Sequence, residues 1–396
     1  MKALLNNKIW LFVFGFVCCS TLSSYISLKF GFPFGVPEIL SLLFIPVFYP
    51  DFRFFFKVLK SNIIKVYIIF TLLLALGILF SPGNVGKVLA SSRAYLYLII
   101  FFFYGLSNIS INLNKLFVIS LGAVLGGYVN GIFLREIDSE AIAYSNLISF
   151  CVIISYPLIK RKYFLFVFCF FAALFVAFES SLRRIIVEIL FTGIFTVLLL
   201  LLRDRILKNK LLIVILFSLP SAIMIFLEHI ETYLQYENYA VWSRIFLKTR
   251  YTSTNRGLGS RVSHSNNLDN YFFDTLIPRG VYPRGVSFKV EGSIGSTLDF
   301  PLYELFYVFG SLTILFFLFF YLKLIIMGLY KSPKNPNQSD ELLLMIVLFC
   351  VLVCVSFFDG GFLQYTFVTP FTGLVLGRLI FLTKNRKGTL NRKTSA

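Results

Sequence analysis

Twelve stretches of almost unbroken apolar sequence decide what this chain can become: Ile9–Leu28, Val36–Tyr49, Ile63–Phe80, Ala94–Leu106, Leu116–Leu134, Ala141–Ile159, Tyr163–Phe178, Ile185–Leu202, Leu211–Leu227, Leu302–Leu324, Leu342–Phe358 and Thr366–Leu382. Most are long enough to cross a hydrocarbon core about 30 Å thick as a helix. In that medium a backbone must satisfy its own polar groups, so a single chain of such runs is expected to be helical. The predicted fold is therefore all-α: a polytopic integral membrane protein of about 12 transmembrane helices. With 58% hydrophobic residues and a mean hydropathy of +0.82, an ordinary soluble domain is excluded. The second and fourth runs are short, and Pro33, Pro37 and Pro46 predict a broken or tilted second segment.

A net charge of +18 would suit a nucleic-acid binder, but no soluble basic domain carries it. Lys and Arg instead cluster at the ends of apolar runs, as topology signals do. With the N-terminus inside, the cytoplasmic connections hold 21 Lys and Arg. The short outer connections hold only Lys29, Lys87, Arg93, Arg135, Arg183 and Arg184. This asymmetry predicts both termini in the cytoplasm and no nucleic-acid partner. The N-terminal KIWLFVFGFVCCSTLSS lacks an A-x-A-like cleavage site and is expected to remain as the first helix.

All six cysteines fall within apolar runs and read as small buried hydrophobes. The two histidines, His229 and His264, have no neighbouring cysteine, so neither a metal site nor a cofactor is expected.

Three parts follow: residues 1–227 with helices one to nine, an outer loop over 228–301, and residues 302–396 with helices ten to twelve and a basic tail. The loop carries Arg244, Arg250, Arg256, Arg261, Arg279 and Arg284. Aromatic and apolar residues from Tyr233 to Phe246 recur at helical spacing, predicting an amphipathic interfacial helix between Glu228 and Tyr251. The later PRGVYPRGVSFKVEGSIGS is a Gly/Pro/Ser turn region that cannot be a regular helix.

Topology does not account for the outer arginines. Arg183 and Arg184 open the eighth span in FESSLRRIIVEIL, and Arg93 stands at the outer end of the fourth. An ionisable group at a membrane boundary is a functional candidate. An i, i+4 pair between Arg184 and Glu188, or a contact with Glu179, is the structural alternative. Guanidinium groups bind phosphate bidentately and keep their charge when desolvated, so this set suits a diphosphate. Asp299 precedes Pro301, and Glu304 lies in the first turn of the tenth span. Either acid could serve as a general base, or simply complement the positive end of the helix. His264 is the alternative base.

Twelve spans, an SLRR element opening a span from outside, and a long outer loop before the tenth span resemble the Wzy-type O-antigen and capsular polysaccharide polymerases. These share a superfamily with the O-antigen ligases. The stretch from Arg261 through IPRGVYPRGVSF to STLDFPLYELFYVFGSLTIL resembles the family's pattern of an Arg, a glycine-rich P-x-G turn and a helix carrying Glu ahead of Gly. Here those two are Glu304 and Gly310. The architectural likeness covers the whole chain, the motif only this stretch. Ligases of the superfamily show a His-Asn pair where this chain has Thr297-Leu298-Asp299. That departure favours a polymerase and leaves the base open.

The resemblance implies a GT-C-like, metal-independent glycosyltransferase of the bacterial inner membrane, active on the periplasmic face. Its substrates would be oligosaccharides on undecaprenyl diphosphate. Arg183, Arg184, Arg93, Arg261, Arg279 and Arg284 would hold diphosphate; Asp299, Glu304 or His264 would orient or deprotonate the acceptor. Membrane lipids, a chain-length regulator and a flippase would be its partners. The rival readings are an O-antigen ligase and, from another class, a lipid-linked oligosaccharide flippase. Transporters carry polar residues at mid-membrane in broken helices; here the span interiors read as nearly bare.

Overall fold

The computed structural model describes residues 8–17, 72, 75, 79, 85–106, 112–133, 139–179, 183–206, 272–278, 287–290, 293–296, 305–306, 308–330, 333, 335–358 and 368–384. Among them are nine helices: α1 (Lys8–Val17), α2 (Val85–Leu106), α3 (Leu113–Phe133), α4 (Ser139–Ile159), α5 (Tyr163–Glu179), α6 (Arg183–Ile206), α7 (Ser311–Tyr330), α8 (Pro336–Phe358) and α9 (Val368–Lys384). They fall on the first, fourth to eighth and tenth to twelfth apolar runs. The second and ninth runs, and the amphipathic helix expected from Glu228 to Tyr251, lie outside the described residues. Two helical segments, Ser311–Leu329 and Pro336–Val353, are long and apolar enough to cross a membrane.

The described chain is helical as expected, apart from one short hairpin in the loop. Ser287–Val290 (β1) and Ser293–Ser296 (β2) pair antiparallel, Ser287 opposite Ser296 and Val290 opposite Ser293. A Glu-Gly dipeptide between two short alternating runs is a weak form of the hairpin signal.

Local sequence sets several helix ends. The Asn112 side chain accepts from the Asn114 amide at 3.0 Å, and that of Asn335 from the Asn337 amide at 3.0 Å. Both are N-caps, and Pro336 follows the second at the first helical position, where its missing N–H costs nothing. Between α4 and α5 the Lys162 amide donates to the Pro157 carbonyl at 2.7 Å and the Arg161 amide to Leu158 at 2.9 Å. This Schellman turn places Arg161 at a φ of 57°, unusual without glycine, and reverses the chain within three residues.

Glycines bring two helix pairs into backbone contact. Gly373 lies against Leu98 and Phe102, and Gly377 against Phe102 and Gly105. Similarly, Gly122 meets Phe12 and Gly126 meets Phe16. Each contact sequence advances along both helices, so α2 runs parallel to α9, and α1 to α3. Gly373 and Gly377, like Gly122 and Gly126, are small residues four apart, a spacing that lets helix axes approach closely.

The other directions follow from side chains. Cys151 meets Thr192 at 3.4 Å and Ser155 meets Thr196 at 3.1 Å, so α4 and α6 are parallel. Each threonine donates its own proton to the carbonyl one turn back, at 2.7 Å. Its oxygen is therefore left to accept from Cys151 or Ser155. Tyr321 donates to the Leu376 carbonyl at 3.2 Å and Gly328 packs on Thr383, so α7 and α9 are parallel too. Lys160, at the end of α4, pairs with Asp340 at the start of α8 at 2.8 Å, and Gly328 near the end of α7 packs on Leu342. The heads of α2, α4, α6, α7 and α9 thus share one end of the bundle.

The main core runs between α8, α9, α7, α4 and α2, with Phe102, Tyr321, Leu344 and Leu379 fully enclosed. A second cluster joins α3, α4, α5 and α6 around Ile154, Ala173 and Ile189. The outside is apolar as well. Phe164, Phe168, Phe171 and Phe175 form an exposed stripe on α5, with Phe164 90% accessible. Leu312, Phe316 and Phe319 do the same on α7.

Candidate functional site

At the shared end of the bundle the tenth apolar run is not one helix. The expected helix from Leu302 is interrupted at Gly310, and α7 starts at Ser311. Gly310 has a φ of +85°, which no right-handed helix accommodates, and its own amide still donates to the Phe306 carbonyl at 2.8 Å. The break frees the Ser311 amide from the helical ladder. That amide donates to the Thr275 carbonyl at 2.7 Å, and the Ser311 hydroxyl donates to the Phe272 carbonyl at 2.7 Å.

The outer-loop segment 272–278 is thus fastened to the head of α7. Thr275 is 1% exposed there, Phe272 meets the Phe306 ring edge-on at 6.0 Å, and Pro278 packs against Gly310. A methyl group at Gly310 would sit 3.0 Å from the Leu276 carbonyl oxygen and 3.2 Å from the Pro278 ring. Gly310→Ala is therefore expected to cost about 1–3 kcal/mol through backbone strain, read as a lower thermal midpoint of the detergent-solubilised protein. An unchanged midpoint would mean that the left-handed conformation is not needed.

Neighbouring elements converge on this junction. Phe309 meets Tyr95 of α2 edge-on at 5.5 Å, and Arg93 lies two residues earlier on that helix. Arg183 and Arg184 are the first two residues of α6, whose head lies at the same end of the bundle. With no acid in its first turn, α6 adds the positive end of its dipole to two positive side chains. Glu188 stands one turn further along α6.

The remaining sequence candidates, Arg261, His264, Arg279, Arg284, Asp299 and Glu304, lie outside the described residues. Two of them adjoin described residues of the junction in the sequence: Arg279 follows Pro278, and Leu305 follows Glu304. Arg284 stands three residues before Ser287 and Asp299 three after Ser296.

One charged site in the bundle escaped the sequence reading, which took the span interiors as nearly bare. Arg378 of α9 reaches Glu341 of α8 at 2.6 Å through Nη2, with Nε donating to the same oxygen at 2.7 Å. The two side chains are 1% and 4% exposed, and the guanidinium lies 4.5 Å above the Phe381 ring. Arg378 interrupts GLVLGRLIFL, and Glu341 immediately precedes LLLMIV. A charge inside the twelfth run and another at the edge of the eleventh were the available signal; nothing in the sequence said that the two would meet. The pair lies near the end of the bundle opposite Gly310. Among the described residues no group of His, Cys, Asp and Glu could hold a metal ion.

No family model matches the chain, and neither a curated protein nor a solved structure does.

Proposed function

We propose that this protein is a membrane-embedded polysaccharide polymerase, joining oligosaccharide repeat units carried on undecaprenyl diphosphate. The observation that carries the reading is the convergence at one end of the bundle. Arg183 and Arg184 at the head of α6, the turn of α2 after Arg93, and the loop segment leading into Arg279 all lie at the end where Gly310 breaks the tenth run. Arg183 and Arg184 of the SLRR element, Arg279 of the P-x-G turn and Gly310 also belong to the resemblance to the Wzy-type polymerases.

Helix directions support the membrane topology. α6 and α7 run the same way, yet they are consecutive among the described helices. In a bilayer, the chain between them must therefore cross an odd number of times. The ninth apolar run, Leu211–Leu227, provides one crossing. The exposed phenylalanine stripe on α5 suits lipid contact better than water. In the twelve-span arrangement both termini are cytoplasmic and the Gly310 junction faces the periplasm of a bacterial inner membrane.

In the reaction, an acceptor sugar hydroxyl attacks the anomeric carbon of the donor chain, and the bond to undecaprenyl diphosphate breaks. The hydroxyl proton passes to a base (Asp299, Glu304 or His264), and the diphosphate leaves as an anion. Arginines around it stabilise charge that grows as that bond breaks, which gives them leverage on rate as well as on binding. The polyprenyl chain keeps the reacting centre at the membrane surface, at the end of the bundle where the arginine-bearing head of α6 lies.

Deleting the gene from a lipopolysaccharide-producing host should leave lipid A-core bearing a single repeat unit. Arg183→Ala or Arg184→Ala should lower polymerisation by roughly 10²- to 10³-fold, the cost of removing one preorganised donor. Normal polymer from either variant would remove that residue from the site. Polymer accumulating on the lipid carrier would instead identify a ligase, and untransferred repeat units held inside the cell a flippase. Against the flippase, the buried Arg378–Glu341 pair lies toward the opposite end of the bundle from the arginines, with the apolar core between.

A further inference from the structure

Ser311 spends both of its polar hydrogens on a segment of chain more than thirty residues earlier. Its amide goes to Thr275 and its hydroxyl to Phe272, each at 2.7 Å, and the residue is fully buried. A serine at the start of a helix ordinarily caps its own first turn; this one caps the loop instead. The acceptors are main-chain carbonyls, so the loop's backbone, rather than a movable side chain, is held. Around these bonds, Phe272 packs on Phe306, and Pro278 closes against Gly310. Ser311 is shut away from water and Phe272 is half-buried, so losing the hydroxyl takes that donor from the Phe272 carbonyl.

We infer that Ser311 is a positioning residue: by fastening segment 272–278 to the head of α7, it fixes where the outer loop delivers Arg279 to the arginine-bearing end of the bundle. Arg279 is one peptide bond beyond Pro278, so its backbone starts from the point where the fastened segment ends. Phe273 and Ile277 are 66% and 75% exposed, so the segment is held from its other face, where the Ser311 hydroxyl adds to the main-chain bond at Thr275. The positioning role rests on the reading of Arg279 as a diphosphate ligand; the fastening itself does not.

Two measurements on the full-length protein in phosphatidylcholine nanodiscs test the two parts separately. Hydrogen–deuterium exchange over 272–278 should quicken about tenfold in Ser311→Ala, with α8 unchanged, and return close to wild type in Ser311→Thr; a tenfold change is about 1.4 kcal/mol, within the cost of one buried hydrogen bond. Unchanged exchange in Ser311→Ala overturns the fastening and with it the inference. Undecaprenyl diphosphate should bind about tenfold more weakly to Ser311→Ala and to Arg279→Ala, and the double variant no more weakly than Arg279→Ala alone. That non-additivity is expected when one residue acts through the other. Loosened exchange with unaltered binding in Ser311→Ala, while Arg279→Ala binds weakly, overturns the positioning role and leaves the proposed function standing. Wild-type protein that prefers undecaprenyl diphosphate no more than undecaprenol overturns the proposed function, and the positioning role falls with it.

Discussion

Arg378→Ala will destabilise the protein by about 3–5 kcal/mol, because it leaves the Glu341 carboxylate buried without its counter-charge. Glu341→Ala should cost a similar amount by stranding the guanidinium. The geometry makes the pair an unusually demanding one: a shared oxygen at 2.6 and 2.7 Å, side chains 1% and 4% exposed, and an aromatic ring beneath the cation. Removing both charges together is a different experiment. Arg378→Met combined with Glu341→Leu exchanges an ion pair for apolar volume and should recover most of the lost stability, since desolvation opposes the pair's own attraction. Thermal midpoints of the four proteins, purified in one detergent, decide the matter. A double variant as unstable as either single would show that the pair stabilises the fold on its own account. Lys160 and Asp340 provide the contrast. Their side chains remain 26% and 22% exposed, and Lys160→Ala should cost no more than about 1 kcal/mol.

The second large effect is steric. Gly373→Leu or Gly377→Leu will separate α2 from α9, because even a methyl group at either position collides with the α2 backbone, at Leu98 or at Phe102. A backbone cannot step aside as a side-chain tip can, so the loss should reach or exceed the upper end of the roughly 1–3 kcal/mol usual for overpacking. The readout is the amount of folded, monodisperse protein in the membrane fraction. Gly193→Ala is the matched control: its nearest obstacle is the movable ring of Phe170 at 3.4 Å, and it should accumulate normally. Equal yields from Gly373→Leu and Gly193→Ala would refute the close α2–α9 approach. The same separation would disturb the Gly310 junction, since α2 carries the Tyr95 that meets Phe309.

Much of the fold was legible because its signal is additive along the chain. An apolar run announces a helix through its own composition, and nine of the twelve runs correspond to described helices. Asn112, Asn335 and Pro336 likewise mark helix starts through bonds made within a few residues. Gly310 was legible only as one letter of a motif. Its left-handed φ divides the expected helix, and the loop segment that makes this conformation useful lies more than thirty residues away. The β1–β2 hairpin was read as turn-rich chain because four-residue strands carry too little alternation to stand out.

Of the candidate site, the sequence singled out the arginines on the strength of charge that topology did not require. By itself it determined a helical, apolar chain with arginines at the borders of its apolar runs, since composition and covalent order suffice for that. Only the tertiary structure decided which helices run parallel, that Ser311 holds the loop, and that Arg378 meets Glu341. Those outcomes depend on contacts between segments far apart in sequence, and no local pattern encodes the partner of a buried charge or of a freed backbone amide.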